Sequence, residues 1–345
     1  MMQAGCYTAL ITPFKEDAVD RDGLDRLVEF QIANGITGIL AVGTTGESPV
    51  LTWEEHNEST ELSSVLFLGG CRCIAGTGSN TTRETIEGTR HAAECGCQAV
   101  LLVDPYYNGP SPLEIRREYD ELVAEAFPSI DIIPYVIPGR TGTQLLPEDL
   151  GLLARRYPNV ATVKEATGNL DNMRRTRACC GPDFTILSGD DPMTVQMMTD
   201  PQINAAGVIS VASNVAPGAV ARMVRLLLDG KPAEARSLAA ALEPLFNLVT
   251  VKTVEKTPYG EAACRARNPL AYKTLMAVLG MPSGGCKPPL GKMTRNGLKT
   301  VIEAARSVQR AAPEILQPVA EFFGVNIGER LENPKYREGL YYPEY

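Results

Sequence analysis

A regular alternation of short β-type runs with longer helical patterns is the feature that most constrains the fold of this chain. Eight runs are typical of strands: YTALIT, GILAVG, CRCIAGT, AVLLVD, IDIIPYVI, VATVKEA, FTILSG and GVISVAS. The intervening segments, for example 21–34, 52–68, 81–95 and 112–127, place apolar residues three to four positions apart, as amphipathic helices do. Eight β/α units within residues 1–225 predict a (β/α)8 TIM barrel, an α/β fold whose active site lies at the carboxyl ends of the strands.

The pattern changes after Ser213. Helical periodicity continues, with no strand predicted between the helices, in segments 217–228, 232–248, 270–279 and 298–311. We therefore expect a catalytic barrel at 1–225, an α-helical carboxyl-terminal subdomain at 226–313 and a tail at 314–345. The tail is rich in Pro, Gly and Tyr, and two alternatives stay open for it: docking of its aromatic residues on the barrel or a neighbouring subunit, or partial disorder.

Charge and cysteine content narrow the class of partner and the compartment. The formal net charge is −8, whereas nucleic acid and anionic membranes need a basic surface, so a small-molecule partner is favoured. The chain has no run of eighteen apolar residues and no signal-like amino terminus, which predicts a cytoplasmic protein. Its nine scattered cysteines predict reduced thiols, because the C-x-C pairs Cys71/Cys73 and Cys95/Cys97 match no common zinc pattern.

The residues near the predicted strand ends do not favour a metal or a nucleotide. The chain has only two histidines, His56 and His91, and both fall in helical segments. Asp190 and Asp191 follow the seventh predicted strand, but an acidic pair in such a turn is more often a helix cap. The glycine-rich turns GTTGE and GTGSN lack a dinucleotide fingerprint, and threonine hydroxyls with backbone amides suit a small carboxylate in GTTGE. We expect neither a metal nor a cofactor.

Lys164 lies within the sixth predicted strand, where a cation needs a reason to be buried. An ordinary lysine has a pKa of about 10.4, and burial in a barrel can lower it by up to ~3–5 units, which makes the amine a nucleophile for carbonyl groups. The alternative is an ion pair with a carboxylate, although Glu165 is not its natural partner because adjacent strand residues point to opposite faces. From the residues alone, both alternatives stay open.

Six motifs, in this order and spacing, resemble those of the dihydrodipicolinate synthase family of pyruvate-dependent class I aldolases: GTTGES, DPYYN, PGRTG, KEATGNL, LSGDD and GVISVASNVAP. The resemblance extends from about Tyr7 to Ala311. It implies a Schiff base between Lys164 and pyruvate, followed by condensation with L-aspartate 4-semialdehyde on the route to lysine and diaminopimelate.

The same resemblance implies roles for individual residues at the barrel mouth. Thr45 and the backbone around Thr44 would hold the pyruvate carboxylate. A proton relay would comprise Thr44, Tyr107 and Tyr135, with Tyr107 reaching in from the adjacent subunit of a homo-oligomer, either a tetramer built as a dimer of dimers or a dimer.

Two further roles concern the second substrate and the lysine. Arg140 would bind the carboxylate of the second substrate, and the backbone carbonyl of Ile209 would approach the side chain of Lys164. The resemblance also implies L-lysine as an inhibitor at a dimer interface. The matching positions are Ser48, Pro49, Trp53, His56, Asn80, Glu84 and Tyr106.

The chain departs from the family pattern at several points. Val136 replaces an asparagine common after the strand-five tyrosine, Pro134 precedes that tyrosine, and an insertion at about 250–267 is expected to enlarge the helical subdomain.

Two alternative functions stay open. One is a sister aldolase acting on N-acetylneuraminate or a 2-keto-3-deoxy sugar acid; Arg140 and the paired threonines favour the synthase over it, because a charged substrate needs a guanidinium. The other is a catalytically silent paralogue that binds a keto acid.

Overall fold

The computed structural model describes residues 2–65 and 72–345, and its central element is a closed barrel of eight parallel strands. The strands are β1 Gly5–Ala9, β2 Gly38–Ala41, β3 Arg72–Gly76, β4 Ala99–Val103, β5 Asp131–Val136, β6 Thr162–Glu165, β7 Thr185–Ser188 and β8 Gly207–Ser210. They pair in chain order, and β1 pairs with both β2 and β8, which closes the barrel. The predicted (β/α)8 fold is confirmed.

Helices cover the outside of the barrel, which explains why β1, β2 and β6 are buried along their whole length. The helices after successive strands are Arg21–Ala33, Trp53–Val65, Thr82–Glu94, Pro112–Ile115 with Glu121–Ala126, Pro147–Arg156, Leu170–Cys180, Thr194–Thr199 and Pro217–Leu228. The predicted helix end at 66–68 and the start of the predicted third strand at Cys71 lie outside the described residues.

Polar side chains begin several of these helices. Asp20 accepts a hydrogen bond from the Gly23 amide, Thr81 accepts one from the Glu84 amide, and Ser111 forms a capping box with Glu114. Such caps satisfy amides that have no partner within the helix, which places the helix starts where the sequence pattern predicts them.

The region after the barrel contains three longer helices and a β hairpin that the sequence pattern did not predict. The helices are Pro232–Phe246, Leu270–Leu279 and Arg295–Ala311, and the antiparallel hairpin strands are Thr250–Thr257 and Gly260–Arg267. The expectation that no strand lies between these helices is therefore wrong, and the insertion adds sheet instead of helix. The physical reason is visible in TVKTVEKT, where five of the eight residues are β-branched and favour extended backbone.

The tail docks on its own chain, as one of the two alternatives expected. The rings of Phe322 and Phe323 lie 5.3 and 5.2 Å from the ring of Phe30 in the first barrel helix. Arg330 donates a hydrogen bond of 2.6 Å to the carbonyl of Val278. The helices Gln317–Phe323 and Ile327–Glu332 thus form a strap across the outer helices.

Two global features bear on compartment and partners. Across residues 2–65 and 72–345, no helix has both the length and the hydropathy needed to cross a bilayer. Each cysteine that the structure describes is a free thiol.

Candidate active site

Lys164 projects into the barrel beside Tyr135. The two residues are register partners on β6 and β5, and the Lys164 Nζ atom lies 4.1 Å from the centroid of the Tyr135 ring. Only 4% of Lys164 is exposed, and within the described part of the chain no carboxylate forms an ion pair with it. Glu165 faces the other way and accepts hydrogen bonds from the Thr167 amide at 2.8 Å and from Asn172 Nδ2 at 3.1 Å. The structure therefore does not realise the ion-pair alternative for Lys164.

The environment of Lys164 favours its neutral amine. Burial is the main cause that lowers its pKa to about 7, and the Arg140 guanidinium lowers it further, whereas Asp191 acts in the opposite direction. Roughly half of the amines are then unprotonated at neutral pH, compared with about one in a thousand for an ordinary lysine. Burial in the barrel thus favours a neutral amine without a neighbouring base.

Tyr135 and Thr44 are brought together at the mouth. Both border a small cavity that also contacts Val103 and Tyr106. Burial raises the pKa of Tyr135 to about 12, while Arg140 and an interaction with the Thr44 hydroxyl act to lower it. The phenol is therefore protonated at neutral pH and available to donate.

Tyr107 is not brought to this cluster within one chain. Its side chain is 86% exposed, so a role in the relay requires a second subunit, as the resemblance implies. Ile209 lies on β8 and is buried. The chain that follows Ile209 is held by Asp191, whose Oδ2 atom accepts hydrogen bonds of 3.0 Å from the amides of Val211 and Ala212. This engagement supports a structural role for Asp191 over metal binding.

The turn GTTGE after β2 has a strained backbone. Val42 adopts φ of +46°, which is rare for a β-branched residue. A Cβ atom at Gly76 would lie 2.5 Å from the Val42 carbonyl oxygen, so only glycine fits at position 76 next to this backbone. Glu47 secures the far end of the turn through a buried ion pair of 2.7 Å with Lys273. Strain maintained by its surroundings in this way is typical of functional turns.

Asn268 links the two predicted carboxylate-binding residues, and no pattern in the sequence pointed to it. Its Nδ2 atom donates a hydrogen bond of 2.9 Å to Thr45 Oγ1, and its backbone carbonyl accepts one of 3.4 Å from Arg140 Nη2. The bond to Thr45 leaves the threonine hydroxyl proton free to donate to a ligand. Asn268 follows the unpredicted hairpin, and no spacing in the sequence relates it to Thr45.

Arg140 lies on the short helix Pro138–Thr141 that follows β5. Burial lowers its pKa, and two hairpin residues, Arg267 and Arg265, lower it further. Arg267 donates a hydrogen bond of 3.0 Å to the carbonyl of Gly139, next to Arg140. The mouth of the barrel is therefore electropositive on this side.

A second cavity, which we call the side cavity, adjoins the mouth. Its volume is about 230 Å³, and its lining includes all the positions predicted for lysine: Ser48, Pro49, Trp53, His56, Asn80, Glu84 and Tyr106. Ser48, Pro49 and Tyr106 also line the small cavity that Thr44 and Tyr135 border, so the two spaces share a wall.

Several contacts organise the side cavity. Asn80 Oδ1 accepts a hydrogen bond of 2.9 Å from the Tyr106 amide, and Ser79 donates one of 2.6 Å to Glu84. His56 contacts the Gly76 carbonyl through Nε2 at 2.9 Å, and burial lowers its pKa, so it is neutral at physiological pH. The Glu84 carboxylate is then the only charged side chain of the described lining.

A buried lysine with a pKa near neutrality, at the carboxyl end of a barrel strand and beside a tyrosine, defines a Schiff-base-forming enzyme of the class I aldolase type. A model of the family described as "Dihydrodipicolinate synthetase family" matches residues 2–307. The chain belongs to this family.

Individual relatives in sequence and in structure support this family membership. The chain is 39% identical over 303 residues to 4-hydroxy-tetrahydrodipicolinate synthase of Sulfurihydrogenibium sp. (strain YO3AOP1), which covers 88% of this chain and 97% of the relative. The structure of 4-hydroxy-tetrahydrodipicolinate synthase from Methylacidiphilum fumariolicum SolV has a TM-score of 0.82 at 36% identity, over 93% of this chain and all of that chain (100%).

Two further solved structures are a lysine-bound enzyme and a monomeric variant. The enzyme from Cyanidioschyzon merolae with lysine bound has a TM-score of 0.80 at 34% identity, covering 88% of this chain and 98% of that chain. A monomeric dihydrodipicolinate synthase variant has a TM-score of 0.79 at 28% identity, covering 89% of this chain and 97% of that chain.

Proposed function

We propose that the chain is a 4-hydroxy-tetrahydrodipicolinate synthase that condenses pyruvate with L-aspartate 4-semialdehyde, in lysine and diaminopimelate biosynthesis in the cytoplasm. The observation that carries the proposal is Lys164, which is buried, free of a carboxylate partner in the described chain and adjacent to Tyr135. Membership of the family and the names of its relatives support the choice of reaction.

The proposed chemistry uses the residues at the barrel mouth. The neutral Lys164 amine attacks the pyruvate ketone, and loss of water from the carbinolamine gives an iminium ion. Loss of a methyl proton gives the enamine, whose carbon attacks the aldehyde. The amine of the second substrate then attacks the imine carbon, which closes the ring and releases Lys164. Tyr135 and Thr44 transfer the protons that dehydration requires, with Tyr107 of a second subunit completing the relay.

The two carboxylates are bound by different groups. Thr45, with the backbone around Thr44, holds that of pyruvate, and Asn268 orients the Thr45 hydroxyl. Arg140 binds that of the semialdehyde through a charge-assisted hydrogen bond. A guanidinium in this position favours the charged aldehyde over the polyol substrate of a sister aldolase. The backbone carbonyl of Ile209 is proposed to approach the side chain of Lys164.

Trapping the Schiff base tests the function. Incubation with pyruvate, reduction with borohydride and peptide mapping by mass spectrometry should place the adduct on Lys164. Lys273 is an internal control because it is equally inaccessible but ion-paired with Glu47. An adduct on Lys273, or none, contradicts the proposal. Faster turnover with N-acetylmannosamine than with the semialdehyde selects the sister aldolase, and trapping without turnover on any aldehyde selects the silent paralogue.

We further propose that L-lysine inhibits the enzyme by binding in the side cavity of a homo-oligomer. Glu84 supplies a carboxylate for an ammonium group, Asn80 and Tyr106 supply hydrogen bonds, and Trp53, which is 40% exposed, can contact the aliphatic stem. The wall shared with the catalytic cavity supports coupling, because ordering Tyr106 would bias the space beside Tyr135.

A further inference from the structure

The hairpin presents one face to solvent, and that face is basic. Thr253 and Glu255 on the opposite face contact Thr294 and Asn296 at the start of the helix Arg295–Ala311. Alternate residues of a strand share a face, so the exposed face carries the other set of positions. Its charged members are Lys252, Lys256, Glu261, Arg265 and Arg267.

The one carboxylate of this face, Glu261, lies across the hairpin from Lys256, whereas Arg265 and Arg267 have no carboxylate opposite them. Within the described residues, neither the four cations nor Arg140 forms an ion pair. Four cations against one carboxylate contrast with a chain whose formal net charge is −8. A local basic stripe on an acidic protein attracts anions toward the point where the stripe ends.

The stripe ends at the active-site mouth. Arg267 donates a hydrogen bond to the Gly139 carbonyl, and the next residue, Asn268, contacts both Arg140 and Thr45. Arg265 lies on the same face, paired across the hairpin with Lys252. Arg265 is exposed, Arg267 is partly buried and Arg140 is more deeply buried, so the two hairpin arginines lie on the solvent side of Arg140.

We propose that Arg267, assisted by Arg265, extends the Arg140 carboxylate subsite and makes the enzyme select an aldehyde that carries a carboxylate. This inference rests on the proposed function. Two guanidiniums can share the two oxygens of one carboxylate, which a neutral aldehyde cannot exploit. The insertion at 250–267 therefore acts on the specificity of the condensation step and not on formation of the Schiff base.

The test compares two aldehydes in the full-length enzyme. R267A should raise the KM for L-aspartate 4-semialdehyde by about tenfold or more, as expected for loss of a charge-assisted bond, and weaken the dependence of kcat/KM on salt. The kcat/KM for propionaldehyde and the rate of borohydride trapping with pyruvate should not change. R267K should recover part of the loss because it restores the charge, and R265A should have a smaller effect of the same kind.

R236A is the matched control, since Arg236 is an exposed arginine on the helix Pro232–Phe246, outside the basic face; its kinetics should equal those of the wild type. Equal losses for both aldehydes in R267A would show that Arg267 only supports Gly139, which overturns the inference. So would unchanged kinetics for the semialdehyde in R267A and R265A. Failure of the wild type to form the pyruvate adduct would instead refute the proposed function.

Discussion

Replacement of Lys164 by methionine should stabilise the folded protein while abolishing activity. Methionine has similar length and no charge, so K164M removes the cost of burying the amine. The pKa of Lys164 falls from 10.5 in the unfolded chain to about 7 in the folded protein, and the unfolded state therefore binds more protons between these values.

The magnitude follows from the proton linkage. Each pKa unit corresponds to about 1.4 kcal/mol, so burial of Lys164 costs roughly 5 kcal/mol below pH 7, about 4 kcal/mol at pH 7 and about 1 kcal/mol at pH 10. The stability contributed by this site thus rises with pH through the window from 7 to 10.5. K164M should exceed the wild type in free energy of unfolding by about 4 kcal/mol at pH 7, and this gain should shrink toward pH 10.

Reversible denaturant unfolding of both proteins at pH 7 and pH 10 measures the difference. K273M is the control, because Lys273 is also buried but pairs with Glu47. Its removal leaves an unpaired buried carboxylate and should destabilise the protein by about 3–5 kcal/mol at pH 7. A pH-independent difference between K164M and the wild type, or destabilisation by K164M at pH 7, would refute the argument that burial tunes this lysine.

Three further predictions concern catalysis and regulation. Y135F should lower kcat by about 10²- to 10³-fold in steady-state assays with the far-UV circular dichroism unchanged, and wild-type turnover would exclude Tyr135 from the relay. R140A should raise the KM for the semialdehyde roughly ten- to a hundredfold and that for pyruvate far less; an equal rise in both would place Arg140 elsewhere. Millimolar L-lysine should inhibit the wild type and E87A, whose exposed residue lies outside the side cavity, but not E84A; inhibition that survives in E84A would remove lysine from this cavity.

The barrel could be predicted from the chain because its signal is local. Each β run is short, apolar and followed by an amphipathic segment, and burial on both faces imposes that composition wherever the strand lies in the sheet. Lys164 could be singled out for the same reason, since a cation in such a run is an anomaly. The polar residues after β2 and β5 could be assigned to one mouth because parallel strands end on one side.

The hairpin and Asn268 could not be predicted in the same way. In TVKTVEKT the two valines are three positions apart, which does not indicate a strand, and the alternation of buried and exposed side chains emerges only in the structure. Asn268 reaches Thr45 across 223 residues and Arg140 across 128, and no local pattern encodes contacts of that separation. The docking of Phe322 and Phe323 on Phe30 is likewise a contact between residues far apart along the chain.

By itself the sequence determined the eight barrel strands, the amphipathic segments between them and the identity of the candidate nucleophile, since these depend on periodicity and residue type within short windows. Only the tertiary structure decided how deeply Lys164 is buried and which charges lie near it, which together set its pKa, because desolvation and Coulomb interactions depend on distances in space. The tertiary structure likewise brought the side-cavity residues around one space and set Arg267 beside Gly139, because both arrangements join segments far apart along the chain.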